Sequence, residues 1–321
     1  MRASPASLAF ICGAALLLAI APAFAGSYVR YLIVIWLIYS ISAVGLNLPI
    51  GLGRLYSLGH GGFMLVGAYA TAVVTTQWNW PAPVALVFAI MLAIATGILV
   101  GLPALRLRQF SLAIVTFAFG YTLFHLVKSF NVFGGPQGIF MPQLWLSSAF
   151  SGLPVYYLTL ALALASVLAA RSIASSKTGR ALRMIGENET AAASLGISLT
   201  YYKLVAFIFA SVLGAVSGFL HAVATGYVAP ETYSAELSIT MFAAVMIGGK
   251  GTLIGPFLGA GFIVAVPEFA QASQGLAEIL YALLFLGIVT LSPGGLAGAS
   301  DMLRARMRGT HAIPDKKAAA R

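Results

Sequence analysis

Charge-free stretches alternate with short polar breaks along this chain. None of Asp, Glu, Lys or Arg occurs from residue 3 to 29, 31 to 53, 55 to 105, 109 to 127, 129 to 170, 204 to 230 or 279 to 300. A bilayer-crossing helix needs about 20 mostly apolar residues, so most of these runs hold one crossing. The longest holds two, divided at "WNWPAP" (78–83), where tryptophans and prolines suit a turn at headgroup level. The pattern predicts spans near 7–25, 31–51, 57–76, 84–102, 109–127, 154–171, 201–223, 237–249, 254–271 and 276–292. The eighth is short for a full crossing and runs into the break "GGKG" at 248–251. A membrane β-barrel would alternate apolar and polar positions through strands of about 10 residues, and continuous Ala, Leu, Ile, Val, Phe and Gly runs exclude it. The expected fold is an all-α polytopic membrane protein with about ten transmembrane helices, a single domain over 1–321.

Composition agrees. Hydrophobic residues make up 60% of the chain and charged residues 8%, against roughly 25% charged in soluble domains. The single cysteine, Cys12, rules out a disulfide framework and a Cys-based metal site, and no metal site is expected. No G-x-x-x-x-G-K-[ST] phosphate loop occurs. A net charge of +10 raises the question of nucleic acid, but in a membrane chain the positions of the positives outweigh their sum, and no nucleic-acid partner is expected. With Arg2 inside, Arg54, Arg106, Arg108, Arg171, Lys177, Arg180, Arg183, Lys203, Lys250 and the basic tail 300–321 fall on the same side. Only Arg30 and Lys128 fall opposite, with Glu231, Glu236, Glu268 and Glu278. Both termini are therefore expected in the cytoplasm. Arg2, the apolar stretch to Ala21 and "AFA" before Gly26 also fit a cleaved signal peptide; either way Gly26 lies outside.

Two longer extramembrane pieces stand out: an outer loop at 128–153 and an inner loop at 172–200. In the inner loop Gly179 is expected to start a short helix through "RALRMIGENETAAASL", with Gly196 at its C-terminal cap. Helical spacing puts Met184, Asn188, Ala191 and Leu195 on one face and Arg180, Arg183 and Glu187 on another. Such a helix is too short to persist alone and too polar for the bilayer. It reads either as a solvated connector or as a docking site for a cytoplasmic partner, and its length and concentrated charge favour the second.

The segment "ENETAAASLGIS", followed by "YYKLVAFIFASVLGAVSGFLHA", resembles the cytoplasmic coupling loop of permease subunits of branched-chain amino acid ABC importers. That loop carries a small-Ala-Ala triplet three residues before a glycine, matched here by Thr190-Ala191-Ala192 and Gly196. The general importer motif opens the triplet with Glu. Thr190 stands there instead, with Glu187 and Glu189 just upstream, so the docking carboxylate is unassigned. "GLGRLYSLGHGGFMLVGAYATA" (51–72), "FGGPQGI" (133–139), "VMIGGKGTLIGPFLGAGFI" (245–263) and "LSPGGLAG" (291–298) resemble further stretches of that family, in the same order.

The resemblance implies a type II importer permease in the bacterial inner membrane. It implies pairing with a second homologous permease subunit, two cytoplasmic ATP-binding subunits that hold ATP and Mg, and a periplasmic substrate-binding protein. This chain would bind no cofactor and catalyse nothing. ATPase coupling would fall to Gly179, Arg180, Arg183, Glu187, Asn188, Glu189, Ala191, Ala192 and Gly196. For translocation and gating, "SLGHGGF" offers Ser57, Gly59, His60 and Gly61, with His60 near the inner end of a span; "GGKG" offers Gly248 and Gly249 at the cytoplasmic rim. His60 also reads as a hydrogen-bonded packing residue, and Lys250 as a topology charge. Glu231 and Glu236 are candidate contacts for the binding protein, or solvated charge. Branched-chain amino acids are the expected solute; urea, short-chain amides and other amino acids use related permeases. An ion-coupled carrier would need a mid-membrane carboxylate, and an intramembrane enzyme paired catalytic groups at one depth. The pattern offers neither.

Overall fold

In hydrocarbon a backbone must satisfy its own hydrogen bonds, which leaves the helix as the form these apolar runs adopt. The computed structural model describes residues 13, 17–105, 107, 109–141, 152–271 and 295–298. Its helices are α1 (Ser27–Gly53), α2 (His60–Thr76), α3 (Ala82–Ala104), α4 (Gln109–Ser129), α5 (Leu153–Ser175), α6 (Lys177–Glu187), α7 (Glu189–Ser194), α8 (Leu199–Thr225), α9 (Ala235–Gly248) and α10 (Gly255–Gln271). Among the described residues, α1, α3, α5, α8 and residues 111–129 of α4 are long and apolar enough to cross a membrane. The chain is thus a helical membrane protein. The second to ninth expected spans each match a helix, though α1 starts four residues earlier than expected and α2 three later. The first expected span, 7–25, lies partly outside the described residues, which are helical over 17–24. The tenth, 276–292, lies outside them.

The long central helix α8 packs on α1, α2 and α3. Its Gly214 and Gly218, four apart, bring two backbones together as small residues do inside membranes. A Cβ on Gly218 would collide with the Met64 carbonyl oxygen of α2, and one on Gly67 of α2 with the carbonyl oxygen of Ala215. Ser211 of α8 donates to the Ala93 carbonyl of α3 at 3.0 Å. Phe207, Phe219 and Leu220 fill the remaining space.

The end of the bundle that carries residues 128–141 departs from an all-α chain. Two short strands, β1 (Ile139–Phe140) and β2 (Tyr227–Val228), pair antiparallel with Ile139 opposite Val228. They join the outer loop 128–153 to the α8–α9 connection, reinforced by the Met141 N–H on the Gly226 carbonyl at 2.9 Å. Lys128 pairs at 3.1 Å with Glu231, expected as solvated charge or a contact for the binding protein.

Candidate functional site

The first candidate site begins where α1 ends. Arg54 adopts the left-handed conformation (φ 50°) and its N–H caps α1 on the Pro49 carbonyl. The chain then turns back into the protein as a non-helical segment, with Leu55, Ser57 and Gly59 buried. The Leu58 N–H donates to Thr116 Oγ1 of α4 at 3.0 Å. Gly59 presses on the Thr116 carbonyl so closely that a Cβ would collide with it. α2 starts at His60, and the Gly61 N–H donates to Ser238 Oγ in the first turn of α9 at 2.9 Å.

His60 is the first residue of α2, as expected at the inner end of that helix, but this end lies inside the helical bundle. Gly214, against which its ring packs, is about midway along α8, and the six non-helical residues 54–59 carry the chain to that depth. α2 runs outward from this level and α9 runs inward from it. Their N-termini meet at Gly61 and Ser238. Ser42, Ser57, Thr116 and Ser238 are all buried in this region of an otherwise apolar interior. His60 is 1% exposed, its ring stands edge-on to Phe63, and its Nε2 has no hydrogen-bond partner among the described residues. Its reading as a hydrogen-bonded packing residue fails at that nitrogen. A buried polar atom left unpaired calls for an explanation. Helices interrupted inside a bundle, with their N-termini meeting there, characterise transport sites.

Gly248 and Gly249 are not brought to this junction. They lie at the other end of α9, ten residues or about 15 Å from Ser238. There the Asn47 side chain of α1 holds the following turn, donating to the Thr252 carbonyl and accepting from the Gly251 N–H, each at 2.7 Å. Lys250 is exposed.

The inner loop forms two helices where the sequence suggests one. α6 begins at Lys177, two residues before Gly179, with Ser176 Oγ accepting from the Thr178 N–H. Asn188 then takes an extended conformation (φ −156°, ψ 110°) and its Oδ1 caps α7 through the Ala191 N–H at 3.0 Å. Asn outcompetes the helix here because a side-chain oxygen at the N-cap satisfies an otherwise free donor. Gly196 (φ 78°) closes α7 as expected, with the Ile197 N–H on the Ala192 carbonyl and its own on Ala193.

The inward side of this pair is Gly179, Ala181, Leu182, Ile185, Gly186 and Ala192. A Cβ on Gly186 would lie 2.5 Å from the Leu52 carbonyl oxygen at the end of α1. Arg183 donates to the Ala174 carbonyl at 2.9 Å, and Arg180 to Ser175 at 3.3 Å. Glu189 forms an ion pair with Lys203 of α8 at 2.7 Å. Gly179, Arg183, Glu189 and Ala192 thus hold the segment to its own chain. Facing outward are Glu187, Ala191, Ala193, Met184 (39% exposed) and Leu195 (68% exposed). Met184, Asn188, Ala191 and Leu195 are all exposed, but the break at Asn188 divides them between two helices and the single helical face expected from their spacing does not form. The sequence did not single out Thr116, Gly214, Ser238 or Asn47. Asn47 carried a usable signal, a lone amide in a charge-free run.

Both sites lie within residues 28–291, which match the family described as "Branched-chain amino acid transport system / permease component". The chain is similar to the high-affinity branched-chain amino acid transport system permease protein LivM of Escherichia coli (strain K12), 31% identical over 287 residues, covering 81% of this chain and 68% of that protein. It is also similar to the probable branched-chain amino acid transport permease protein LivM of Methanocaldococcus jannaschii, 24% identical over 245 residues, covering 70% and 71%. Over a shorter stretch it is similar to the autoinducer 2 import system permease protein LsrC of Enterobacter sp. (strain 638), 29% identical over 133 residues, 39% of each chain. No solved structure matches.

Proposed function

The chain belongs to the branched-chain amino acid transport permease family, and from that premise we propose that it is the membrane-spanning subunit of an ATP-driven importer, passing branched-chain amino acids from a periplasmic binding protein to the cytoplasm. It would have ten spans in a type II arrangement in a bacterial inner membrane, both termini inside, paired with a second homologous permease. ATP and Mg would be held by two cytoplasmic subunits, which perform the hydrolysis.

The observation that carries this reading is the α6–α7 pair. A polar, two-part helical segment is fixed to the inner ends of α1, α5 and α8 while Met184, Glu187, Ala191 and Leu195 stay uncovered. That is the form a docking element takes. The junction at Ser57, Gly59, His60 and Gly61 serves as the gate. It is closed by direct packing of α2 on α4, α8 and α9, and separating the N-termini of α2 and α9 would open it. Gly248 and Gly249 set the inner turn that holds α9 to α1. A solute handed over by a dedicated binding protein needs only a weak lining of this kind.

Reconstitution in liposomes tests the assignment. Leucine uptake is expected only when the ATPase subunits, the second permease and the binding protein are present with ATP. Uptake by this chain alone, driven by an ion gradient, overturns it. A second reading, import of another small polar solute, is favoured by the similarity to LsrC and by a junction lined with hydroxyls. Competition of labelled leucine uptake by urea, short amides and polyols separates the two.

A further inference from the structure

Lys203 is a placement that stability alone does not explain. It sits five residues into α8, where the helix dipole disfavours a cation, and its side chain is only 4% exposed. Taking the Lys203 ammonium out of water costs free energy that its attraction to the half-exposed Glu189 carboxylate offsets only in part, so the pair is a weak stabiliser. What Lys203 fixes is α7. Glu189 Oε1 lies 2.7 Å from its Nζ, and among the residues of α7 only Ala192 is otherwise buried.

α6 is held differently. Ala174 receives Arg183, Gly179 packs against the Ala174 backbone, and Gly186 rests on Leu52 and Gly53. The extended residue Asn188 separates the two attachments. α6 is bound to α5 and α1 and also touches α8, whereas the ion pair that ties the segment to α8 comes from α7. α8 continues unbroken from Lys203 to Gly214, about 16 Å further on, where it touches His60 and Phe63 of α2.

We propose that Glu189 and Lys203 form the strut through which a docked ATPase subunit moves α8, and that Glu187 is the carboxylate facing that subunit. This rests on the docking reading given above. Glu189 and Lys203 are positioning residues: they touch neither solute nor nucleotide. Movement of α7 relative to α6, about Asn188, shifts α8 along α2 and acts on the junction at His60.

The test uses the complete transporter in liposomes and reads leucine imported per ATP hydrolysed. Lys203→Ala and Glu189→Ala are expected to keep the ATPase subunits bound and hydrolysing while lowering that ratio about tenfold, within the usual range of coupling between sites. The exchange Glu189→Lys with Lys203→Glu is expected to restore it. Glu187→Ala is expected instead to release the ATPase subunits at lower salt. A Lys203→Ala transporter with the wild-type ratio overturns the strut while leaving docking intact. A wild-type chain that retains no ATPase subunit overturns docking and the strut together. Should the single variants fail to accumulate, the exchange decides: a folded, ATP-hydrolysing exchange variant that does not transport overturns the proposal.

Discussion

Asn47 and Gly251, more than 200 residues apart, are joined by a 2.7 Å hydrogen bond from the glycine N–H to the amide oxygen of the asparagine. The same amide donates to Thr252. One side chain thus satisfies a donor and an acceptor in a turn that cannot satisfy itself, because the helical ladder stops at Gly248. Asn47→Ala strands both groups in a partly buried site, and each unsatisfied group costs about 1–3 kcal/mol when fully buried. A loss of about 2–4 kcal/mol is expected, read as a lower midpoint of thermal unfolding in detergent. A midpoint unmoved in Asn47→Ala would show that the inner turn is held elsewhere.

Gly67 and Ala215 set the spacing of α2 and α8. A methyl group at 67 meets backbone, not a side-chain tip that can swing aside. Gly67→Ala is expected to destabilise by about 1–3 kcal/mol, the usual range for overpacking, and Gly67→Val by more. Gly26→Ala, where nothing lies within 4 Å, is the control and should leave the midpoint unchanged. Equal effects at the two positions would mean that the α2–α8 contact is not tight.

Gly138 holds the outer strands in register for two reasons. Its φ of 72° disfavours any side chain, and a Cβ would collide with the Val228 carbonyl oxygen. Gly138→Ala is expected to unpair β1 from β2 without unfolding the bundle, at a local cost of about 1–3 kcal/mol. The readout is hydrogen exchange at the Met141 amide, which is bonded to Gly226. Exchange should quicken there and stay slow in α8.

These positions also show what could be read in the sequence. α1, α3, α5 and α8 were legible because a charge-free run in a bilayer has one backbone solution. The docking segment was legible as a place, since Arg180, Arg183, Glu187 and Glu189 crowd an otherwise apolar chain. Its break was not: Glu187-Asn188-Glu189 is acceptable inside a helix, and only the cap on Ala191 shows that Asn188 leaves it. The depth of His60 was not legible either. Where α2 starts is set by Thr116, Gly214 and Ser238, all more than 50 residues away. The β1–β2 pair is too short to leave a period, and Lys203 counted only as a cytoplasmic charge until Glu189 was seen beside it.

Lys128 and Glu231 close the outer loops across the ladder formed by β1 and β2. The Glu231 carboxyl is held below its usual value, first by its own backbone N–H and next by Lys128. A carboxylate whose pKa is lowered by folding adds stability above its ordinary value near 4.5; that contribution fades as pH falls through the lowered one. Exchange at the Met141 amide, corrected for its intrinsic pH dependence, should therefore be constant from neutral pH to about 5 and quicken below about 4. Both side chains are well exposed (39% and 56%), so the effect should stay below about 1 kcal/mol and shrink in high salt. Glu231→Gln should flatten the acid response, and Lys128→Ala should move it toward the ordinary carboxylate value while leaving part of it, since the backbone N–H remains. An acid response unchanged in Glu231→Gln would place the titrating group elsewhere on the outer surface.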